Sequence, residues 1–262
     1  MRRREVMAAL AGAAAWPLAA RAQQPIPVVG FLNSASAEGY RSMAAGFRDG
    51  LADVGYREGN NVAIEHRWAD NQYERLPALA AELVDRRMAV IFANSPSVSA
   101  AKAATSTIPI VFLSGDDPVR LGLVASLNRP GGNVTGVAIL SRELAGKRLA
   151  LLHELVPNAR TIAVLINSDF VARLAREARL ATACEWGEMA ASGCLIGYGP
   201  RRAELYQRLA HLIARVLAGT PASELPIEQP ANFELVLNLQ TAKALGLTIA
   251  PTLLARADEV IE

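Results

Sequence analysis

Only two cysteines and three histidines occur in the 262 residues, and that scarcity leaves little room for metal chemistry. His66, His153 and His211 stand apart. None has a second His, Cys or carboxylate at ligand spacing on a shared element, so no metal is expected. The pattern places His66 on the exposed face of a strand and the other two on helices. Cys184 and Cys194 could pair in an oxidising compartment. Spacing alone gives no bridging geometry, and the reading preferred here is two small buried apolar side chains.

Catalytic signatures are also missing. There is no Gly-x-Ser-x-Gly elbow and no phosphate-cradling loop ahead of a Lys-Ser/Thr pair. Gly131, Gly132 and Gly136 precede a strand instead of joining a strand to a helix, so they are no dinucleotide fingerprint. Asp116-Asp117 offers paired carboxylates, but neighbouring loop residues point apart, and a cap ahead of Pro118 is the simpler reading. Neither an enzyme nor a cofactor is expected.

Charge excess is lacking too. The chain holds 27 basic and 25 acidic residues, and residues 1–22 account for four Arg and one Glu. The remainder is close to neutral, which argues against a nucleic-acid footprint. Beyond the first residues no apolar run approaches the length of a membrane span.

Those first residues are informative. Arg2-Arg3-Arg4 is a basic head, Ala8–Ala15 a short apolar stretch, and Ala20-Arg21-Ala22 has small residues where a signal peptidase needs them. The stretch is too short to span a bilayer, which takes about 20 apolar residues. Residues 1–22 read as a signal peptide cleaved near Ala22, leaving a soluble protein in the periplasm or another extracytoplasmic space. Arg3-Arg4-Glu5-Val6-Met7 fits a twin-arginine pattern, and an ordinary secretory signal fits as well.

The rest of the chain alternates short β-branched runs with helical periodicity, the order of βαβ units and a mostly parallel sheet. Strands are expected near residues 27–32, 62–68, 89–93, 109–113 and 134–139. Helices are expected over 40–51, 76–87 and 97–105. The second half is less regular, with helices over 143–155, 170–179, 205–217 and 241–245 and strands near 161–166, 194–197 and 233–237. Residues 219–230 are Pro-rich and read as a crossing segment.

In open parallel sheets ligands bind at the carboxyl ends of the strands. Short polar residues follow those ends here: Asn33-Ser34, Asn94-Ser95, Ser114-Gly115-Asp116 and Asn167-Ser168-Asp169. Beside helix N-termini they suit a carboxylate or another small polar group. Taken singly each loop reads as a cap or turn.

Longer segments carry a resemblance: Gly30–Ser34, Ile108–Phe112, Leu121–Gly136 with its Asn128-Arg129-Pro130-Gly131-Gly132-Asn133 core, and Phe233–Leu247. Together with the leader they resemble the family of ABC transporter substrate-binding proteins that includes tryptophan- and tyrosine-binding members. The resemblance covers nearly the whole chain. It implies an α/β, type I periplasmic-binding-protein-like fold: two open parallel-sheet lobes joined by crossing segments and closing on a ligand. It implies a small organic solute, an amino acid among the candidates, and an ABC permease in the inner membrane as partner. Lobe 1 is expected over 26–137 with 198–225, and lobe 2 over 138–197 and 226–262. Ser34, Ser95, Ser114 and Asp116 would line the first side of the cleft, with Asn167, Asp169 and Tyr198 facing them. After Ile166-Asn167 the pattern breaks, and two family junctions read as fused near Asp169–Arg173. About two βα units, roughly 60 residues, are then missing. The second lobe is therefore expected to be truncated and its ligand binding weak or absent. The alternative function is a truncated non-binding paralogue or a partner-binding scaffold.

Overall fold

The computed structural model describes residues 26–157 and 178–262. Strands β1 (Val28–Asn33), β3 (Val90–Asn94), β4 (Ile110–Ser114) and β5 (Val134–Ala138) are buried at almost every position. Strands covered on both faces must be apolar in this way. β2 (Ala63–Trp68) is half-buried along its length and lies at the edge. The order is β2-β1-β3-β4-β5, and every pairing is parallel. Parallel neighbours require crossovers, and α1 (Arg41–Asp53), α2 (Leu76–Asp85) and α3 (Ser97–Ala104) supply three of them.

Successive strand residues point to opposite faces. Val29 and Phe31 pack with Phe47 and Leu51 of α1, whereas Leu32 and Ile91 pack with Leu79 and Leu83 of α2 and Val98 of α3. The same alternation corrects the expectation for His66. Ile64, His66 and Trp68 share the face that α1 covers, so His66 is half-buried against Phe31, and its ring stacks on Trp68 at 5.5 Å.

From β5 the chain passes through Leu140, which adopts a left-handed conformation (φ 54°), into α4 (Ser141–Leu155). The strand expected near 161–166 and most of the helix expected over 170–179 lie outside the described residues. The second sheet holds β6 (Ala183–Cys184), β7 (Ile196–Pro200), β8 (Phe233–Asn238) and β9 (Glu259–Ile261), in that order. Helix α5 (Glu188–Ala191) bridges β6 and β7. This sheet is mixed, because β8 runs antiparallel to β7. Between them the chain crosses to the first lobe and returns, so it re-enters the sheet from the opposite end. Helices α7 (Leu239–Ala244) and α8 (Pro251–Leu254) contribute Ala242 and Leu253 to an apolar core with Leu151, Leu155, Ile196, Leu235 and Leu237.

The crossing element is α6 (Arg202–Leu217). Leu205, Leu209, Leu212, Ile213 and Val216 form one buried stripe. That stripe lies beside α1 on the first sheet. The helices approach closely, and a Cβ on Gly50 would sit 3.0 Å from the Tyr206 carbonyl oxygen. The expected lobe boundaries shift accordingly. Tyr198–Pro200 belongs to β7 in the second sheet, because these residues pair with Phe233–Leu235. Ile227 and Glu228 stay with the first lobe, because their amides donate to the carbonyls of Leu127 and Gly136.

Cys184 and Cys194 form a disulfide, which overturns the preferred reading of two unpaired apolar side chains. Tertiary structure supplies the geometry that spacing could not. Helix α5 turns the chain back so that Cys194 leads into β7, which pairs with β6, and the two Cα atoms lie 6.2 Å apart. Closing a ten-residue loop restricts the unfolded chain by about 3 kcal/mol in the chain-entropy account. Among the described residues no helix is long and apolar enough to cross a membrane.

Candidate functional site

The carboxyl ends of β1, β3 and β4 bring three of the expected residues onto one edge. Ser34 follows β1 and is buried, and its carbonyl accepts the Asn71 amide at 2.7 Å. Ser95 follows β3, and its hydroxyl donates to Ser114 Oγ at 2.8 Å. Ser114 is 1% exposed. Its hydroxyl donates to the Asp116 carbonyl at 3.2 Å and accepts the Asp116 amide at 3.1 Å. The serine pair thus ties the β3 loop to the β4 loop. The Asp116 carboxylate points outward instead, half-exposed and 3.5 Å from Arg142 Nε. Asp117 is a cap, accepting the amides of Val119 and Arg120.

On the second side, Asn167 and Asp169 lie outside the described residues. Tyr198 stands on β7 with its ring stacked on Phe233 at 6.1 Å, and it packs on the second-lobe core. Its carbonyl accepts Arg148 Nε at 2.8 Å.

Residues beside the expected ones prove more telling. Asn33 is fully buried; its Oδ1 accepts the Ala35 amide at 2.8 Å, while its Nδ2 has no partner. Asn94 donates from Nδ2 to the Tyr40 hydroxyl at 3.0 Å and leaves Oδ1 unpaired. Tyr206, arriving on α6, brings its hydroxyl beside Tyr40. Ser97 Oγ, in the first turn of α3, is also unpaired. A buried polar atom without a partner costs about 1–3 kcal/mol, and several such atoms gather at this edge. Burial raises the pKa of both Tyr40 and Tyr206, so the phenols stay neutral and can both donate and accept. Asn33 and Asn94 adjoin Ser34 and Ser95 in sequence, whereas no local pattern brings Tyr206 to them.

At the joint between the sheets, the Ser141 hydroxyl donates to the Glu185 carboxylate, and the Ser141 amide donates to the Gly115 carbonyl at 2.7 Å. Trp186 packs on the first-lobe core, with the Arg202 guanidinium 4.8 Å above its ring. Burial lowers the Arg148 pKa, an effect opposed by Glu185.

Two concavities lie elsewhere. One of about 240 Å³ is lined by Lys102, Gly122–Ala125 and Pro130–Val134. The other, of about 560 Å³, is lined by Arg201, Arg202, Glu188, Glu234 and Glu259 among others. Neither is lined by Ser34, Ser95, Ser114 or Asp116. Among the described residues no group of three or more His, Cys, Asp or Glu is placed to hold a metal ion.

His66 carries a pH-dependent prediction. Burial lowers its pKa, and Arg48, whose Nη2 lies 3.2 Å from Nε2, lowers it further, while Glu58 opposes both. The unfolded state therefore binds the proton first. The stability from a neutral His66 is complete above about pH 6.5 and is lost as pH falls through that value. Wild-type protein should lose more stability between pH 7 and pH 5.5 than His66→Gln, measured by urea unfolding. Parallel curves would contradict this.

A tyrosine-binding protein of Clostridioides difficile is 39% identical over 128 residues, 48% of this chain and 36% of that protein's length. The match thus spans little more than a third of that relative. A conserved domain protein of Vibrio cholerae superposes with a TM-score of 0.81 at 22% identity, covering 90% of this chain and 100% of that one. An ABC domain from Streptococcus pneumonia in complex with L-Trp gives 0.79 at 20% identity, again over 90% of this chain and 100% of that one. These likenesses show the fold. The family model described as ABC transporter substrate binding protein matches residues 26–183 and 170–261, so the chain belongs to the ABC transporter substrate-binding protein family.

Proposed function

We propose that this chain is the exported solute receptor of an ABC importer, carrying a small amino acid-like solute to a permease in the inner membrane. The observation that carries the reading is the first-lobe edge, where Asn33, Asn94, Ser97 and Tyr206 hold buried polar atoms without partners. An amino acid offers both donors and acceptors to such groups. The relatives support that class, since one is named for tyrosine and another was solved with L-Trp. In this reading Ser34, Ser95, Ser114 and Asp116 flank the solute, and Asn167, Asp169 and Tyr198 belong to the opposite side.

The solute-binding test is calorimetry on purified protein against a panel of amino acids and small acids. Binding should be weaker than micromolar, because the opposing lobe is shortened, and Asn94→Leu should weaken it at least about tenfold. Micromolar or tighter binding that is lost on Asp169→Ala would show that the short lobe still makes a working cleft and would overturn the expectation of weak binding. A flat response across the panel would favour the second reading, a truncated paralogue that binds a partner instead of a solute. One observation favours that reading: the family model matches in two stretches that overlap at residues 170–183 instead of in one continuous run.

Export is part of the same proposal. Cleavage is expected after Ala22, leaving a protein that begins at Gln23. Intact-mass measurement of the extracytoplasmic protein checks this, and a chain retaining Met1–Arg21 would refute it.

A further inference from the structure

We propose that the Cys184–Cys194 disulfide is a redox-sensitive latch that holds the Glu185–Trp186 segment at the joint between the lobes. This inference does not rest on the solute reading. The disulfide encloses nine residues, and several of them make contacts at the joint. Glu185 receives the Ser141 hydroxyl where the chain leaves the first lobe. Trp186 packs on the first-lobe core beneath Arg202, and Glu188 lies 3.8 Å from the same guanidinium.

The two ends of this segment are held unequally. Its far end is fastened without the disulfide: Asn238 Nδ2 donates to the Ala190 carbonyl at 2.7 Å, and the Thr241 hydroxyl donates to the Gly193 carbonyl at 3.3 Å. The near end is held by β6, which is two residues long, by the contacts of Glu185 and Trp186 with the first lobe, and by the bond from Cys184. Glycines on β7 let this end lie close. A Cβ on Gly197 would meet the Trp186 carbonyl, and one on Gly199 would meet that of Glu185. Backbone proximity of this kind confers little binding energy of its own, so within the second sheet the covalent tie is what fastens the near end to β7. When the tie is cut, Cys184–Gly187 loosens from β7 while Ala190–Cys194 stays in place.

Exposure decides how the bond is cut. Cys194 is fully buried and Cys184 is half-buried. A thiolate of a dithiol reductant attacks the Cys184 sulfur, forms a mixed disulfide and expels Cys194 as a thiolate, which takes up a proton. The second thiolate of the reductant attacks its own sulfur in that mixed disulfide and releases Cys184, which is protonated in turn. The protein gains two electrons and two protons, and the reductant leaves as its disulfide.

The test uses the full chain carrying Trp16→Phe and Trp68→Phe, in which Trp186 is the one remaining tryptophan. Reduction with dithiothreitol should raise acrylamide quenching of Trp186 about threefold or more as the segment opens locally. A companion chain with Cys184→Ala and Cys194→Ala should match the reduced form and ignore the reductant. Because Trp68→Phe touches the first-lobe core, thermal unfolding of the unaltered chain is measured as well and should be lower after reduction. Equal quenching, or equal unfolding temperatures in the two redox states, would overturn the latch. So would alkylation of both cysteines in protein recovered from an oxidising compartment.

Discussion

Phe31→Ala should lower the unfolding free energy by about 3–5 kcal/mol, the range for removing a large buried side chain. Phe31 is fully buried on β1 and sits at the centre of the first lobe's aromatic group. Its ring meets Phe47 edge-on at 5.2 Å, Phe92 at 4.8 Å and Trp68 at 5.4 Å. Truncation opens a cavity whose walls lie on three different elements, and the paired strands cannot move inward together to fill it. Aromatic pairs add about 0.5–1.5 kcal/mol beyond burial, which places this substitution toward the upper end of the range. Chemical denaturation followed by far-ultraviolet circular dichroism measures the loss. A loss below about 1.5 kcal/mol would mean that the site collapses freely and that the first lobe is less tightly packed than described.

Amide hydrogen exchange should be faster by about thirty-fold or more across residues 178–200 than across the strands of residues 28–138. That ratio corresponds to about 2 kcal/mol in local opening free energy. The first sheet is covered on both faces, with α1 and α6 on one and α2 and α3 on the other. In the second sheet, β6 contributes two residues and β9 three. Its core is built on the side of α4, α7 and α8. On the other side of β7 lie Gly197 and Gly199, approached by Gly187 and the four-residue α5, beside Glu234 on β8. Burial and the neighbouring carboxylates of Glu188, Glu259 and Asp258 raise the pKa of Glu234, against the opposing effect of Arg201. A small core protects its hydrogen bonds poorly. The disulfide limits how far the segment can open but leaves the amides of β7 free to exchange through smaller fluctuations. Equal protection in the two lobes, measured by mass spectrometry on the oxidised protein, would defeat the prediction.

The first lobe was largely legible in the sequence. Each of its strands lies within about two residues of the expected position, because a strand buried on both faces is a continuous apolar run and its crossover helices repeat every 3.6 residues. The meeting of three short polar residues on one edge was legible for the same reason. Ser34, Ser95 and Ser114 end such runs, and strands running in parallel bring those ends together. The second lobe was harder to read. β6 and β9 are too short to show a period, and the antiparallel setting of β8 follows from a crossing and return that no local pattern records.

Three features were decided by tertiary structure alone. The first is the pairing of Cys184 with Cys194, which needed α5 to turn the chain back. The second is the burial of His66, set by the face of β2 that α1 covers. The third is the arrival of Tyr206 beside Tyr40, Asn33 and Asn94, delivered by a helix more than 160 residues away from Tyr40 in the chain. Sequence periodicity reports which side of an element is buried. It does not report against what, because that depends on contacts between residues far apart in the chain, and those contacts formed the polar edge and the joint between the lobes.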